Sequence, residues 1–314
     1  MRKAVIVCGP TASGKTLFAH EFAKKYGGEI INADSMQIYK QLPIITASPS
    51  DELKHELPYH LYNFQDIDKE FSATKYTDIA SETISEIDRK ECLPVIVGGS
   101  GMYINMLIYG YNSMPVIESE IRFKARSLHK DLGAKDFFQK LKEIDPQITQ
   151  ILNVGDTQRV IRAYEVALQT GKSILHFQQQ DNTLPLPGFS FEVILLLPER
   201  RLLYELCNKR FLQLFEQDGA VEEVKAVYAK YGDLRSSAMK ALGVEEIIAY
   251  INGKISKQAA IELASTKTRQ YAKRQCTWFT NQIKEKKILQ FGSGEEYNNL
   301  VKNLPMIKAT NDSL

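Results

Sequence analysis

What the sequence has little of narrows its class first. There are only four cysteines (Cys8, Cys92, Cys207, Cys276), far apart and without paired spacing, which argues against a disulfide framework or a zinc site. They read as reduced thiols in a cytosolic protein. The five histidines (His20, His55, His60, His129, His176) form no ligand-spaced cluster. No apolar run reaches the ~20 residues that span a bilayer. Met1-Arg2-Lys3 leads directly into an apolar strand and not into a signal region, so no membrane association and a cytoplasmic location are expected. Net charge is only +2, so any nucleic-acid partner would have to be met by local basic clusters. The rest is the composition of an ordinary globular chain: 314 residues, 44% hydrophobic and 25% charged, long enough for one large domain or two.

Against this background one stretch stands out, Gly9-Pro10-Thr11-Ala12-Ser13-Gly14-Lys15-Thr16. It follows the apolar run Ala4-Val5-Ile6-Val7-Cys8 and precedes helical spacing at Leu17, Phe18 and Phe22. Strand, glycine-bounded loop closing in Gly-Lys-Thr, then helix is the context of a phosphate-binding loop. Backbone N–H groups at a helix N-terminus converge on an anion, which the helix dipole also favours. Lys15 adds a point charge, and the Thr16 hydroxyl suits Mg²⁺. The competing reading is a surface turn that happens to contain Gly and Lys. The pattern indicates phosphate without naming a reaction.

Further along, Glu29–Asp34 reads as a second strand, with Asp34-Ser35-Met36-Gln37-Ile38-Tyr39 as a loop at its carboxyl end, where ligands bind in open parallel sheets. Pro43–Leu57 is polar and irregular. Phe71–Lys90 has helical periodicity with Ser72 as N-cap. Pro94–Val97 is a buried strand running into Gly98-Gly99-Ser100-Gly101 and a helix over 102–108. The alternation predicts a parallel sheet covered on both faces. From Ser119 to Gln180 only helices are predicted, over 121–132, 134–144 and 156–170. Phe191–Leu197 then returns to the sheet, so the helical block reads as an insertion between strands of one core. Helices follow over 201–217, 221–230, 238–250 and 257–284, and residues after about Ser293 read as a loosely held tail.

Several clusters carry a chemical reading beside a plain one. Asp34 could be a carboxylate on Mg²⁺, a general base or a strand-end cap. Ser100 could line the site or belong to an ordinary turn. Arg159 and Arg162 share a helix face that either contacts phosphates or is simply solvated beside Asp156 and Glu165. Arg210 could lie over a bound anion or at the surface. Lys267, Arg269, Lys273 and Arg274, interleaved with Tyr271, Trp278 and Phe279, form either a nucleic-acid face or a packed aromatic stripe with a basic exterior.

Taken in order, the motifs resemble those of the tRNA dimethylallyltransferases: Gly9–Thr16, Asn32-Ala-Asp-Ser-Met-Gln-Ile-Tyr39, Val97-Gly-Gly-Ser-Gly-Met-Tyr103, Asp156-Thr-Gln-Arg-Val-Ile-Arg162, Glu165-Val166, Thr170-Gly-Lys172 and Tyr271-Ala-Lys-Arg-Gln-Cys-Thr-Trp-Phe279. Kinases that share the loop lack the rest. The resemblance implies a P-loop NTPase-like α/β core over 1–112 and 188–314, with an all-helical insertion over 113–187 that clamps the anticodon stem-loop. It implies transfer of a dimethylallyl group from dimethylallyl diphosphate to N6 of adenine 37 in tRNA. Gly9, Pro10, Thr11, Ala12, Ser13, Gly14, Lys15 and Thr16 would cradle the diphosphate, Thr16 with Mg²⁺, and Arg210 would neutralise it. Asp34 would be the general base, and Ser100, standing where the family usually has Thr, would assist. Contacts to tRNA would come from Asp34, Ser35, Met36, Gln37 and Ser100, from Arg122, Gln158, Arg159, Val160, Ile161 and Arg162, and from Lys273, Arg274, Gln275 and Trp278. Family members are usually monomeric.

There are departures from the family pattern. Gly-Thr-Ala-Lys-Pro becomes Ile45-Thr46-Ala47-Ser48-Pro49, Asp-Pro-Gln-Arg becomes Asp156-Thr157-Gln158-Arg159, and Gly-Tyr-Lys-Glu becomes Gly243-Val244-Glu245-Glu246. Competing functions are prenyl transfer to free adenine nucleotides, a small-metabolite kinase, and an RNA-binding protein without chemistry. The long helical insertion and the basic C-terminal helix favour tRNA over a free nucleotide.

Overall fold

The computed structural model describes residues 2–217, 219–232 and 236–306. The chain divides into two compact units, Met1–Ile108 with Pro185–Leu314, and Tyr109–Leu184. The first carries a six-stranded parallel sheet. In chain order it contains β1 (Arg2–Cys8), α1 (Lys15–Tyr26), β2 (Gly28–Asn32), α2 (Asp51–Glu56), β3 (Tyr59–His60), α3 (Ala73–Arg89), β4 (Leu93–Gly98) and α4 (Gly101–Tyr109). The second unit contains α5 (Ser119–Ile144), α6 (Thr157–Thr170) and α7 (Ile174–Gln178). The first then resumes with β5 (Phe189–Pro198), α8 (Arg200–Glu216), α9 (Ala220–Tyr231), α10 (Val244–Ile251), α11 (Lys257–Gln282), β6 (Lys287–Phe291) and α12 (Gly294–Lys302).

The strand order is β3-β2-β4-β1-β5-β6, with Val5 registered between Val95 on β4 and Glu192 on β5. Residues Ala4 to Cys8 are wholly buried, as a central strand covered on both faces requires. On one face Val5 and Val7 pack with Phe18 and Phe22 of α1. α3 buries Tyr76, Ala80, Ile84 and Ile87, a helical spacing, and packs on β2 and β4. Its N-cap is Ser72, whose Oγ accepts from the Lys75 N–H at 3.1 Å.

Three expectations need correction. The stretch after Ser293 is not a loose tail over its described part: α12 forms there, preceded by β6, which pairs along β5 from Ile194↔Lys287 to Pro198↔Phe291. Of β6 only Phe291 is buried, so the strand has no alternating apolar signal and exists because β5 offers it hydrogen bonds. The remainder of that predicted tail, 307–314, lies outside the described residues. The predicted helix over 238–250 is instead a short 3₁₀ turn, Ala238–Lys240, and α10, separated at Gly243. The helices expected over 121–132 and 134–144 are borne out as the two halves of α5, which meet at a kink where Gly133 takes a non-helical φ of 74°. The stretch read as irregular contains α2, and β3 follows it as a two-residue edge strand on β2.

The helical unit has its own core, in which α5 packs on α6 through Phe137, Leu141, Val160 and Ala163. Its two ends are tied by paired backbone bonds between Tyr111 and Thr183, at 3.2 and 3.0 Å. Among the described residues no helix is long and apolar enough to cross a membrane.

Candidate active site

Although β1 and β4 are neighbours, the chain leaves β1 toward β2 on one side and passes from β4 to β5 on the other. The carboxyl ends of strands at such a point open a ligand crevice. The loop Gly9–Gly14 leaves β1 there and delivers Lys15 as the first residue of α1. Gly14 is left-handed, at φ 81°. Its carbonyl accepts from the Phe18 N–H at 3.1 Å and from the Tyr297 hydroxyl of α12 at 2.8 Å. A Cβ on Gly14 would lie 2.7 Å from the Tyr297 ring. Thus α12, part of the stretch expected to be loose, seals the outer side of the phosphate loop.

Two cations sit inside this arrangement. The Lys15 Nζ donates to the Pro10 carbonyl at 2.6 Å, and Arg210 donates to Thr11 Oγ1 at 3.2 Å and to the Thr46 carbonyl at 3.4 Å. Neither forms an ion pair with a described carboxylate. Burial pushes the Lys15 ammonium down to about 8, an effect opposed by Asp34 and reinforced by Arg210. Burial likewise lowers Arg210, against the opposing charge of Asp34. Partly desolvated positive charge without a counterion favours an anionic ligand. Beside it the Ser13 hydroxyl is buried with no hydrogen-bond partner among the described residues.

Asp34 is held by a local lattice. Its N–H donates to Asn32 Oδ1 at 2.8 Å, and Asn32 Nδ2 donates back to the Asp34 carbonyl at 3.0 Å and to Leu61 O at 2.9 Å. Asp34 Oδ1 accepts from the Met36 N–H at 3.0 Å, an Asx turn that leaves Oδ2 for a ligand. Asp34 lines the same cavity, of about 550 Å³, as Lys15, Thr16 and Arg210. Of the predicted residues this cavity also gathers Thr11, Ala12, Ser13, Gly14, Met36, Gln37 and Arg274.

Other predicted residues have different duties. Ser100 does not line the cavity: its hydroxyl accepts from the Ser35 N–H at 2.8 Å and donates to Ser35 Oγ at 3.0 Å, fastening the Asp34 loop. Gln275 is buried, not at an RNA-facing surface. Its Oε1 accepts from the Thr11 N–H at 2.8 Å and its Nε2 donates to Gly99 O at 2.9 Å, bridging the two glycine-rich loops. Gln37 uses its amide nitrogen on the carbonyls of Thr46 (3.0 Å) and Ala47 (2.8 Å), so only Oε1 remains to read a base edge. Trp278 packs on Gly101, where a Cβ would fall 2.4 Å from the indole. Lys273 and Arg274 are exposed, and the Arg274 guanidinium lies 5.7 Å from the Tyr271 ring centre.

In the helical unit Val160 is core and Ile161 packs on it, so these side chains point inward. Arg162 is held by the buried Glu165 at 3.5 Å and by Pro115 O at 3.2 Å. Gln158 and Arg159 are exposed, Arg122 is half-buried, and Thr157 opens α6. At the departures, Ser48 accepts from Asn63 at 3.1 Å, and Val244 is fully buried. The reversed charge at Glu245 is matched by Lys267, whose Nζ is 2.5 Å from Glu245 Oε2 and 2.5 Å from Oε1 of buried Glu246.

Sequence reasoning missed the apolar half of the cavity. Cys207, Phe211 and Leu214 line it from the Arg210 side of α8, and Thr268 and Tyr271 precede Arg274 on α11. Helical spacing from Arg210 to Cys207 and Leu214, and from Arg274 to Tyr271, was the available signal. Ile45, Ala241 and Leu242 also line it, but come from loops that no periodicity marks. The Tyr271 phenol is pushed up to about 12, first by burial and then by Asp34.

The donor set fits Mg²⁺ as it binds phosphate sites. Among the described residues no group of three or more His, Cys, Asp or Glu could hold a metal alone. Thr16, whose hydroxyl is a suitable oxygen donor, lines the cavity, and Mg²⁺ commonly takes one or two protein oxygens, the rest coming from phosphate and water.

The fold and site therefore define a P-loop NTPase-like protein whose anion cradle opens into an apolar chamber, with a carboxylate lining both. A family model described as IPP transferase matches residues 37–282, and the chain belongs to that family and is a transferase. It is 45% identical over 302 residues to a Rickettsia conorii tRNA dimethylallyltransferase, covering 96% of this chain and 83% of the relative. It is 44% identical over 306 residues to the Rickettsia prowazekii enzyme of the same name, covering 98% of each. The crystal structure of a full-length tRNA isopentenylpyrophosphate transferase from Bacillus halodurans has a TM-score of 0.68 at 30% identity, covering 97% and 96% of the two chains. A eukaryotic dimethylallyltransferase acting on tRNA has a TM-score of 0.78 at 25% identity, covering 98% of this chain and 81% of the other.

Proposed function

We propose that the protein transfers the dimethylallyl group of dimethylallyl diphosphate to N6 of adenine 37 in tRNA, releasing diphosphate. One observation carries this reading: a single cavity brings together Lys15 and Arg210, two cations that pair with no described carboxylate, the one lining carboxylate Asp34, and an apolar wall. That composition matches a substrate with a charged and an apolar end, and an acceptor that must give up a proton.

In the reaction the N6 lone pair forms a bond to the allylic C1 as the C1–O bond breaks, and the diphosphate leaves with the bonding pair. Lys15, Arg210 and the amides at the start of α1 hold the charge that grows on the leaving oxygens, where preorganised donors act most strongly. Asp34 Oδ2 takes the N6 proton. An exocyclic amine is barely basic, so removing the proton as attack proceeds is worth ~10²–10⁴-fold in rate. Thr16 and the diphosphate oxygens would hold Mg²⁺, which when bound supplies further neutralisation of the leaving group. The base must leave its stack to enter, at a cost of a few kcal/mol that is smaller in a single-stranded loop.

Gln158 and Arg159 of the helical unit, with Arg122, Lys273 and Arg274, would contact the anticodon stem-loop. Such phosphate contacts position the RNA without reading its sequence. A monomer working in the cytoplasm completes this reading.

The test is incubation of the purified protein with an unmodified anticodon stem-loop, Mg²⁺ and dimethylallyl diphosphate. A mass gain of one prenyl group with equimolar diphosphate is expected; no gain on the RNA overturns the proposal. AMP in place of RNA distinguishes the free-nucleotide reading. Asp34→Asn should lower turnover by ~10²–10⁴-fold while RNA affinity stays within about twofold, because the carboxylate acts on the proton and not on docking.

A further inference from the structure

We propose that Phe211 and Ile45 form an unyielding floor that restricts the allylic donor to a single five-carbon unit. The inference rests on the reading of the cavity as the dimethylallyl diphosphate site, and concerns which allylic diphosphates that site accepts.

Arg210 and Phe211 are consecutive on α8 and both line the cavity, Arg210 at the phosphate end and Phe211 in the apolar wall. On this reading the donor's tail runs toward Phe211, Leu214 and Ile45, apolar lining that shares α8 with Arg210 or adjoins Thr46, whose carbonyl accepts from the arginine. Phe211 is buried, and the side away from the cavity is closed. Gly243 stands behind it at φ 95°, where a Cβ would lie 2.3 Å from Phe211 Cε2 and 3.2 Å from Ile45 Cδ1. The ring and the isoleucine methyl are thus backed by main chain, which yields less readily than a side chain. Phe211 is also paired with Phe215, at 6.1 Å between centroids, and Phe215 with Tyr250 at 5.5 Å, so the space beyond is filled core.

Ile45 is fixed separately. The N–H groups of Ile44 and Ile45 donate to the two carboxylate oxygens of Glu223 on α9, at 2.7 and 2.8 Å. This two-pronged grip holds the loop against the chamber. A ten-carbon tail would have to displace the Phe211 ring into a packed cluster or take the space the adenine needs. Cores resist such overpacking.

The test is a competition between dimethylallyl and geranyl diphosphate for the same anticodon stem-loop, with products separated by mass. The wild type should prefer the five-carbon donor at least a hundredfold in kcat/KM. Phe211→Ala should raise the geranyl-to-dimethylallyl ratio by tenfold or more. Phe211→Leu, which keeps more of the core, should raise it less while still transferring dimethylallyl, and so controls for folding. A ratio unchanged in a Phe211→Leu protein with a native circular dichroism spectrum and melting transition overturns the inference, as does a wild type that uses geranyl diphosphate equally well. A wild type that transfers neither donor overturns the underlying function, a distinct result.

Discussion

Replacing Gln275 tests how the anion cradle is built. The side chain is 6% exposed and makes two bonds, from the Thr11 N–H and to Gly99 O, that join loops following two different strands. Gln275→Leu removes both at similar volume and strands one donor and one acceptor. At about 1–3 kcal/mol per buried unsatisfied group, the loss is about 2–6 kcal/mol less whatever water recovers. Because Thr11 also receives Arg210, loosening it should raise the KM for dimethylallyl diphosphate more than it lowers kcat. Gln275→Glu sharpens the test. An ionised carboxylate can still accept from Thr11 but opposes the Gly99 carbonyl, whereas a protonated one can donate to it. The introduced group should therefore titrate above its ordinary ~4.3. With the folded value raised, the stabilising bond is complete below the unfolded value and is lost as pH rises through the folded one. Urea unfolding of wild type, Leu and Glu proteins from pH 4.5 to 8 should show the Glu variant approaching wild type only at the acid end. A Leu variant within about 0.5 kcal/mol of wild type with unchanged KM would refute the bracing role, since surface changes stay within that range.

Two further outcomes follow from the cradle. Lys15, lowered to about 8, makes a contribution to stability that is present above its unfolded value and is lost as pH falls through about 8. Diphosphate should remove that penalty, so its thermal stabilisation should grow as pH drops from 9 to 7, with proton uptake near pH 8 by calorimetry; Lys15→Met should flatten both, and a pH-independent shift in wild type would contradict the assignment. Tyr297→Phe should cost about 0.5–1.5 kcal/mol through the lost bond to Gly14 O, and Tyr297→Ala should also raise the diphosphate KM; neither change appearing would mean that α12 does not support the loop.

Much of the phosphate loop and its flanks was readable in the linear chain, because strand, glycines, lysine and helix start are local features whose physics is complete within a few residues. The same holds for the Ser72 cap, for the apolar strands, and for motifs linear enough to place the chain in its family. The edge strand β6 was not readable, since its pattern is polar and its bonds come from β5. Ser100, Gln37 and Gln275 were legible as polar residues near the site, but not as fasteners, because a side chain's duty depends on the donor or acceptor opposite. Glu245 looked like a charge reversal until Lys267 stood beside it.

The sequence by itself determined that a phosphate-binding loop would stand where β1 meets α1. Only the tertiary structure decided what surrounds that loop: Thr11 meets Gln275 across 264 residues, and Phe211 meets Gly243 and Ile45. Local propensity acts over one element, whereas an active-site wall is assembled by packing between elements that no periodicity links.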